Sequence, residues 1–472
     1  MKSRWAKRIL IALVTVLVIL SIPVGLELYA RSQARADLEK IIAELDRTDP
    51  RWRLEDIEVD RQPVPADMNS AKTVVGAHRL LPKTWDPKIY AELEDFPPPI
   101  TLRKDQADKL AAELKPLEAA LQTARKLENQ PNGRHKLDYD LEWWTSSVAD
   151  QQNSREVALL LVLDVFQFSH RKKVEESWKS NRALLNSGRS LGDEPLSISM
   201  LLRMAIAEMT VRSLERALAQ GEFHWSHLQE RQHALEEEMT VPYLLIGSRG
   251  ERAGRNHLLT NIENGSIGLT QTLDKMENWR KTYEASFWDQ FKEFFRFSTV
   301  LHSHASLLHL QTRQVEAAKL PPNKRYEVIT EIEKSYKALV TPKDRITRLL
   351  FPDVLGFAKS EQRRHTLLAC AVTALGAERF RLQKNRWPKS LEEIVQAGCL
   401  KKVPTDQFDG NPLRFRRTKD GLVIYSIGPE GNYDGKALDD LRNINEAVVR
   451  VEFRLWDPAR RRQPPLPAKP NE

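Results

Sequence analysis

Residues 9–26 form an almost unbroken apolar run, extended by Leu28 and Tyr29. At about 1.5 Å of rise per residue, about twenty such residues cross a hydrocarbon core. The run predicts a transmembrane helix over 9–29 behind a short basic segment, 1–8. Lys2, Arg4, Lys7 and Arg8 precede it with no acidic residue, whereas Arg31, Arg35 and Lys40 beyond it are diluted by Glu27, Asp37, Glu39 and Glu44. Excess positive charge marks the cytoplasmic side. The N-terminus is therefore expected in the cytoplasm and everything after Tyr29 outside it. A cleaved signal peptide shares the charged start, but the run is long for one and 30–36 offers a poor small-residue cleavage site. No other segment is apolar enough to span: 159–165 is interrupted by Asp164 and reads as a buried helix.

The 472 residues suffice for two or three domains, each with its own core. The formal charge of +8 is spread among Arg/Glu and Lys/Glu neighbours, with no basic stripe interleaved with aromatics, so no nucleic-acid partner is expected. Cys370 and Cys399 form no CxxC pair, which excludes the usual zinc knuckle or dithiol redox site. A disulfide in an oxidising compartment and two small buried apolar residues both fit them.

Beyond the anchor, 30–149 reads as membrane-proximal helical and irregular chain. The helix is expected to run on to Thr48-Asp49-Pro50, 51–65 to be extended, and Asn69 or Ser70 to cap a short helix. Residues 84–99 are Pro-rich and expected to be irregular, with one helix over 104–128. Residues 150–360 read as a helical domain of antiparallel pairs without a clean repeat. Its best helix, 194–220, has Asp193 as the expected cap, Pro195 in its first turn and Gly221 after its last. Others are expected over 226–238, 287–295, 300–318, 325–339 and 345–350.

After a long helix over 361–384 the grammar changes. Trp387-Pro388 ends the helix, and Ser390 with Glu393 suggests a capping box. Turn pairs follow at Asp409-Gly410 and Asn411-Pro412. Residues 413–417 and 422–427 read as a hairpin about Lys419-Asp420-Gly421, with a third strand over 448–455. The expected fold is mainly α: a transmembrane helix, a multi-helix array, and a small α+β module over 361–457 with a three-stranded sheet. The Arg- and Pro-rich tail, 458–472, is expected to be disordered.

Residues RWPKSLEEIV, then Gly398-Cys399-Leu400, VPTDQFDGNPLRF and LVIYSIGPEGNYDG follow one another at a particular spacing. Over roughly 364–440 this resembles the C-terminal part of the major pseudopilin of type II secretion. There too a long helix breaks into a short Leu-rich helix, a Pro- and Asp-rich turn and a Tyr-Ser-x-Gly strand end. The N-terminus departs from that family: it has neither the Gly cleavage site nor the Phe-Thr-Leu-x-Glu helix start. Packing into a pseudopilus is therefore not expected. The whole arrangement is similar to a group of bacterial single-span membrane proteins that join a helical domain to this type of tail. The resemblance implies a fold and a bacterial inner-membrane location with the bulk of the chain periplasmic. It implies no activity. It also implies calcium in the loop after Tyr425-Ser426-Ile427-Gly428, where Asp434, Asp439 and Asp440 are the candidate metal ligands, beside Glu430 and Asn432. Tyr433 and Lys436 intrude there, and an ordinary solvated turn is the other reading.

The remaining constellations are weak. Residues 431–437 lack the Ser or Thr of a phosphate loop, and the Gly-rich stretch 247–254 reads as close helix packing or a turn. His302, His304 and His309 lack the three- or four-residue spacing of helical metal ligands; His224 and His227 have it without a further ligand. Trp143-Trp144 and Phe291, Phe294, Phe295 and Phe297 read as core packing. No GxSxG, HExxH or Cys-His arrangement occurs. These readings converge on a membrane-anchored, envelope-facing scaffold with envelope proteins as partners. The alternative is a membrane-tethered enzyme built from Asp138, Asp140, Glu142 and Glu251 with Arg252.

Overall fold

Proline positions and buried side chains divide the chain differently from the expected pattern in several places. The computed structural model describes residues 2–137, 139, 141, 143, 148–277, 297–434 and 451–466. Its first helix, Lys2–Thr48, runs unbroken through the apolar run and Pro23 and stops where the sequence predicts. Among the described residues no helix is long and apolar enough to cross a membrane. Of the expected anchor, the side chains at 9, 12, 16, 17, 19 and 20 lie outside the described residues. The two halves of the helix differ. Leu10, Ile11, Leu13, Val14, Val18, Ile22 and Leu26 are exposed. Ala34, Leu38 and Leu45 are buried with Leu301, Ala305 and Leu308 of the helix Phe297–Lys319.

Residues 51–65, expected to be extended, contain the helix Leu54–Asp60. Leu54 and Ile57 bury against Ala253, and Glu55 and Asp56 complement the positive end of the helix dipole. A short helix, Lys88–Leu93, likewise stands within the Pro-rich segment. The single helix expected over 104–128 is broken by Pro116 into Lys104–Leu114, a 3₁₀ turn Lys115–Leu117, and Glu118–Arg125. Proline lacks the N–H the helix needs there. Asn69 does cap Ser70–Arg79, accepting from the Ala71 N–H at 3.1 Å.

The helical body comprises Val148–His170, Val174–Arg189, Ser197–Gln220, Trp225–Thr240, Tyr243–Glu263, Phe297–Lys319 and Pro322–Lys337. The expected helix over 287–295, and Phe291, Phe294 and Phe295, lie outside the described residues. Asp193 is not a cap. It accepts instead from Arg61 Nε and the Gln62 N–H, each at 3.1 Å. Asp164, which interrupts the internal apolar run, is fully buried and chelated by Arg125 at 2.6 and 2.9 Å. Gly247, Gly250 and Gly254 lie on one helix, and close packing is what they provide. A Cβ on Gly250 would sit 1.7 Å from the Pro195 carbonyl oxygen, and one on Gly254 2.2 Å from the Trp143 ring.

The long helix Val354–Lys384 ends at Asn385 in the left-handed conformation, and Leu391–Gln396 follows. The expected capping box does not form. Ser390 makes no capping bond, and Glu393 accepts from the Lys389 N–H at 2.9 Å and from Arg386 at 2.8 Å. Strands β1 (Arg414–Arg417), β2 (Gly421–Tyr425) and β3 (Glu452–Trp456) form an antiparallel sheet in that order, pairing Phe415 with Ile424 and Ile424 with Phe453.

Packing does not divide the chain at 361. One buried cluster contains Trp178, Leu214 and Leu228 of the helical body, Leu368 and Leu375 of the long helix, and Leu422, Ile424 and Phe453 of the sheet. At about 1.5–3 kcal/mol for each fully buried large aliphatic or aromatic side chain, this shared interior holds sheet and helices as one unit. Of the expected tail, 467–472 lie outside the described residues. Residues 458–466 are ordered by polar contacts rather than apolar burial: Arg461 pairs with buried Glu378 at 2.7 Å, and Arg462 donates to the Ser169 and His170 carbonyls at 2.6 and 3.0 Å. The Gln463 N–H then donates to the Pro99 carbonyl at 2.7 Å.

Candidate functional site

Two helices bring arginines onto one buried carboxylate, and a third brings one to the backbone carbonyl of the same residue. Glu238, on Trp225–Thr240, is 1% exposed. Its Oε1 accepts from Arg203 Nε at 2.9 Å and from Tyr243 Oη; its Oε2 accepts from Arg203 Nη2 at 3.0 Å and Arg189 Nε at 2.8 Å. Arg364 donates to the Glu238 carbonyl at 3.1 Å and lies 4.1 Å over the Tyr243 ring. Burial alone would raise the Glu238 carboxyl pKa. The Arg203 and Arg189 charges, with the hydrogen bonds from Arg203 and Tyr243, reverse that and hold it far below the usual carboxylate range. The carboxylate stays ionised because each oxygen is saturated by donors.

Cavities adjoin this network. Arg189 and Arg203 line one of about 420 Å³, together with Gly192, Asp193, Gly133 and Pro65. Arg364 lines a second of about 180 Å³, beside Arg325, Glu361, His365, Tyr326 and Gln407. There Glu361 accepts from the Leu244 N–H at 3.1 Å and pairs with Arg325. Burial, then the Arg364 and Arg325 charges, push the His365 imidazole down to about 4, so it is neutral near pH 7. These walls offer hydrogen-bond donors around a polar space, the chemistry of recognition, with their carboxylate already committed.

The motif stretch is organised around Asp406, which is fully buried. Its Oδ1 accepts from the Phe408 N–H at 3.0 Å and Ser426 Oγ at 2.9 Å; its Oδ2 accepts from the Ile427 N–H at 3.0 Å and Arg414 Nη1 at 2.7 Å. Cys370 and Cys399 are both free and buried, with Cys370 Sγ 3.9 Å from the Val451 carbonyl and Cys399 Sγ 3.7 Å from Gln383 Oε1.

Asp434 is exposed and near Tyr433, whose ring is buried and whose hydroxyl donates to Glu452; Asp439 and Asp440 lie outside the described residues. Among the described residues no three His, Cys, Asp or Glu side chains gather as a metal site. Asp138, Asp140 and Glu142 also lie outside them. Glu251 and Arg252 do not pair with each other: Glu251 accepts from the Ser197 N–H at 3.2 Å and pairs with Arg255, while Arg252 reaches Asp49. His304 is taken up by Glu263 and Asn256 at 2.6 and 3.1 Å, and His224 caps its helix through the Ser226 N–H.

The Glu238 network was missed by motif reasoning because its members are scattered along the chain. The one signal was an arginine inside an apolar helical stripe, as with Arg203 between Leu202 and Met204. No family model matches this chain, and neither a curated protein nor a solved structure matches it.

Proposed function

We propose that the protein is a single-span membrane protein of the bacterial inner membrane, inserted through 9–29. Its helical body and pseudopilin-like α+β part would stand on the periplasmic side as a scaffold for envelope proteins. The observation that carries the reading is the exposure of Leu10, Ile11, Leu13, Val14, Val18, Ile22 and Leu26 on one unbroken helix. At about 100° per residue these positions spread over more than half of the helix circumference. A helix that is apolar on so many sides and uncovered by the other described residues suits hydrocarbon rather than water.

The docking of the same helix supports a rigid stalk. Glu27 accepts from the Ser298 N–H at 2.9 Å and from Ser298 Oγ at 2.8 Å, so the body attaches where the apolar run ends. The basic residues before the run set the orientation.

Fractionation with cross-linking tests both halves of the reading. The full chain should stay in the membrane pellet through alkaline extraction, and a chain lacking 1–26 should leave it. Photo-cross-linkers on the exposed face of the body should capture envelope proteins in intact cells. A full chain that is monodisperse in buffer without detergent would overturn the anchor. Cross-linking that yields no envelope partner would overturn the scaffold.

A further inference from the structure

Arg231 lies on the helix Trp225–Thr240 and is 2% exposed, yet no carboxylate of the described residues pairs with it. Its Nη2 donates to the Trp178 carbonyl at 3.3 Å, and its guanidinium lies 4.9 Å over the Trp178 ring. Its Nε and Nη1 have no hydrogen-bond partner among the described residues. A buried guanidinium without a counter-charge is costly, because an aromatic face and one carbonyl replace little of its hydration.

Arg231 lines a cavity of about 200 Å³ whose wall also holds Arg182, Arg189 and Trp178. The charged groups around it are not balanced. Arg182 pairs with Glu230, and Arg189 with Glu238 at 2.8 Å and Glu237 at 3.4 Å. His233 reaches Glu237 at 3.4 Å. Every carboxylate in the wall therefore has a cation already, and Arg231 is left over. Burial, and then the neighbouring Arg182 charge, pull its guanidinium pKa down to about 9 against the opposing effect of Glu230.

We infer that this cavity is a binding site for a small oxyanion, a carboxylate or phosphate group, with Arg231 as its principal donor. The volume admits such a group together with a short carbon skeleton, and a guanidinium fork matches the two oxygens of either. Trp178 holds the guanidinium plane from one side, and Arg182 stands at the more exposed edge of the cavity, its side chain 38% exposed. The site is independent of the membrane reading.

The test uses the full chain in a neutral detergent, with inorganic phosphate and succinate as probes and sodium chloride at matched ionic strength as control. Phosphate or succinate should raise the thermal midpoint saturably, and chloride should not. Selective binding of phosphate or of succinate identifies the anion class. Arg231→Met should weaken the bound anion by about tenfold or more, the worth of one charge-assisted hydrogen bond, while its midpoint without anion stays equal to or above that of the parent. Arg231→Lys, which keeps the charge without the fork, should retain part of the affinity. No saturable effect of either anion, or equal affinity in the parent, Arg231→Met and Arg231→Lys, would overturn the assignment.

Discussion

Ser426 Oγ donates to Asp406 Oδ1 at 2.9 Å, joining the Pro- and Asp-rich turn to the end of β2 across twenty residues of chain. The two segments were conspicuous in the sequence for separate reasons. In the fold, one fully buried carboxylate organises both of them, because Asp406 also takes the Phe408 and Ile427 N–H groups and Arg414.

Asp406→Ala leaves the Phe408 and Ile427 N–H groups and the Ser426 hydroxyl without their acceptor and takes from Arg414 one of its two carboxylates, the other being Asp409, so it should destabilise the folded chain by about 3–5 kcal/mol. Ser426→Ala removes one donor from an acceptor that keeps three others and leaves the Gly428 N–H without its acceptor, so about 2 kcal/mol should be lost. Urea unfolding of the two variants, alone and combined, measures both values. Equal losses for the two would show that Asp406 is not the hub.

The Glu215 carboxyl predicts a pH dependence of unusual sign. Burial, then the nearby Glu452 charge, raise its pKa from the ordinary 4.5 to about 8, against the opposing pull of Arg454 and Arg212. The folded chain therefore keeps a proton that the unfolded chain releases between about 4.5 and 8. Stability from this group falls as pH rises through that window and levels off above it. Glu215→Gln should flatten this component of the slope. The midpoint of thermal unfolding, followed from pH 5 to 9 for parent and variant as a matched pair at about constant ionic strength, reads it directly.

A methyl group is enough to disturb the packing of the helix Tyr243–Glu263. Gly250→Ala drives its Cβ against the Pro195 backbone, and Gly254→Ala drives it into the Trp143 ring. Each should lose about 1–3 kcal/mol or more, since overpacking must move neighbours. Gly265→Ala is a poor control because its φ is +76°. Gly25→Ala, with nothing within 4 Å, should leave the midpoint unchanged.

Ending the chain at Asp457 removes the Arg461–Glu378 pair, the two Arg462 contacts to Ser169 and His170, and the Gln463 bond to Pro99. At roughly 0.5–1.5 kcal/mol per hydrogen bond, and more for charged ones, about 3 kcal/mol or more should be lost. A disordered tail would make the same truncation neutral. Differential scanning calorimetry on the two chains separates these outcomes.

Local signals in the sequence determined local features. The cap at Asn69, the stop at Thr48, the hairpin around Asp420-Gly421 and the tight helix packing at Gly247, Gly250 and Gly254 each depend on neighbours in the chain or on side-chain size. The apolar run is equally local, as the sum of its own residues. Tertiary structure decided the rest. Whether Asp193 caps a helix or holds Arg61, and whether an Arg-rich tail orders itself, both turn on partners far away in sequence. The Glu238 network is the extreme case, since Arg189, Arg203, Tyr243 and Arg364 reach it from four helices. A charge inside an apolar stripe announces that it must be neutralised. Only the packing of the helices says by whom, or, for Arg231, that no carboxylate of the described residues pairs with it.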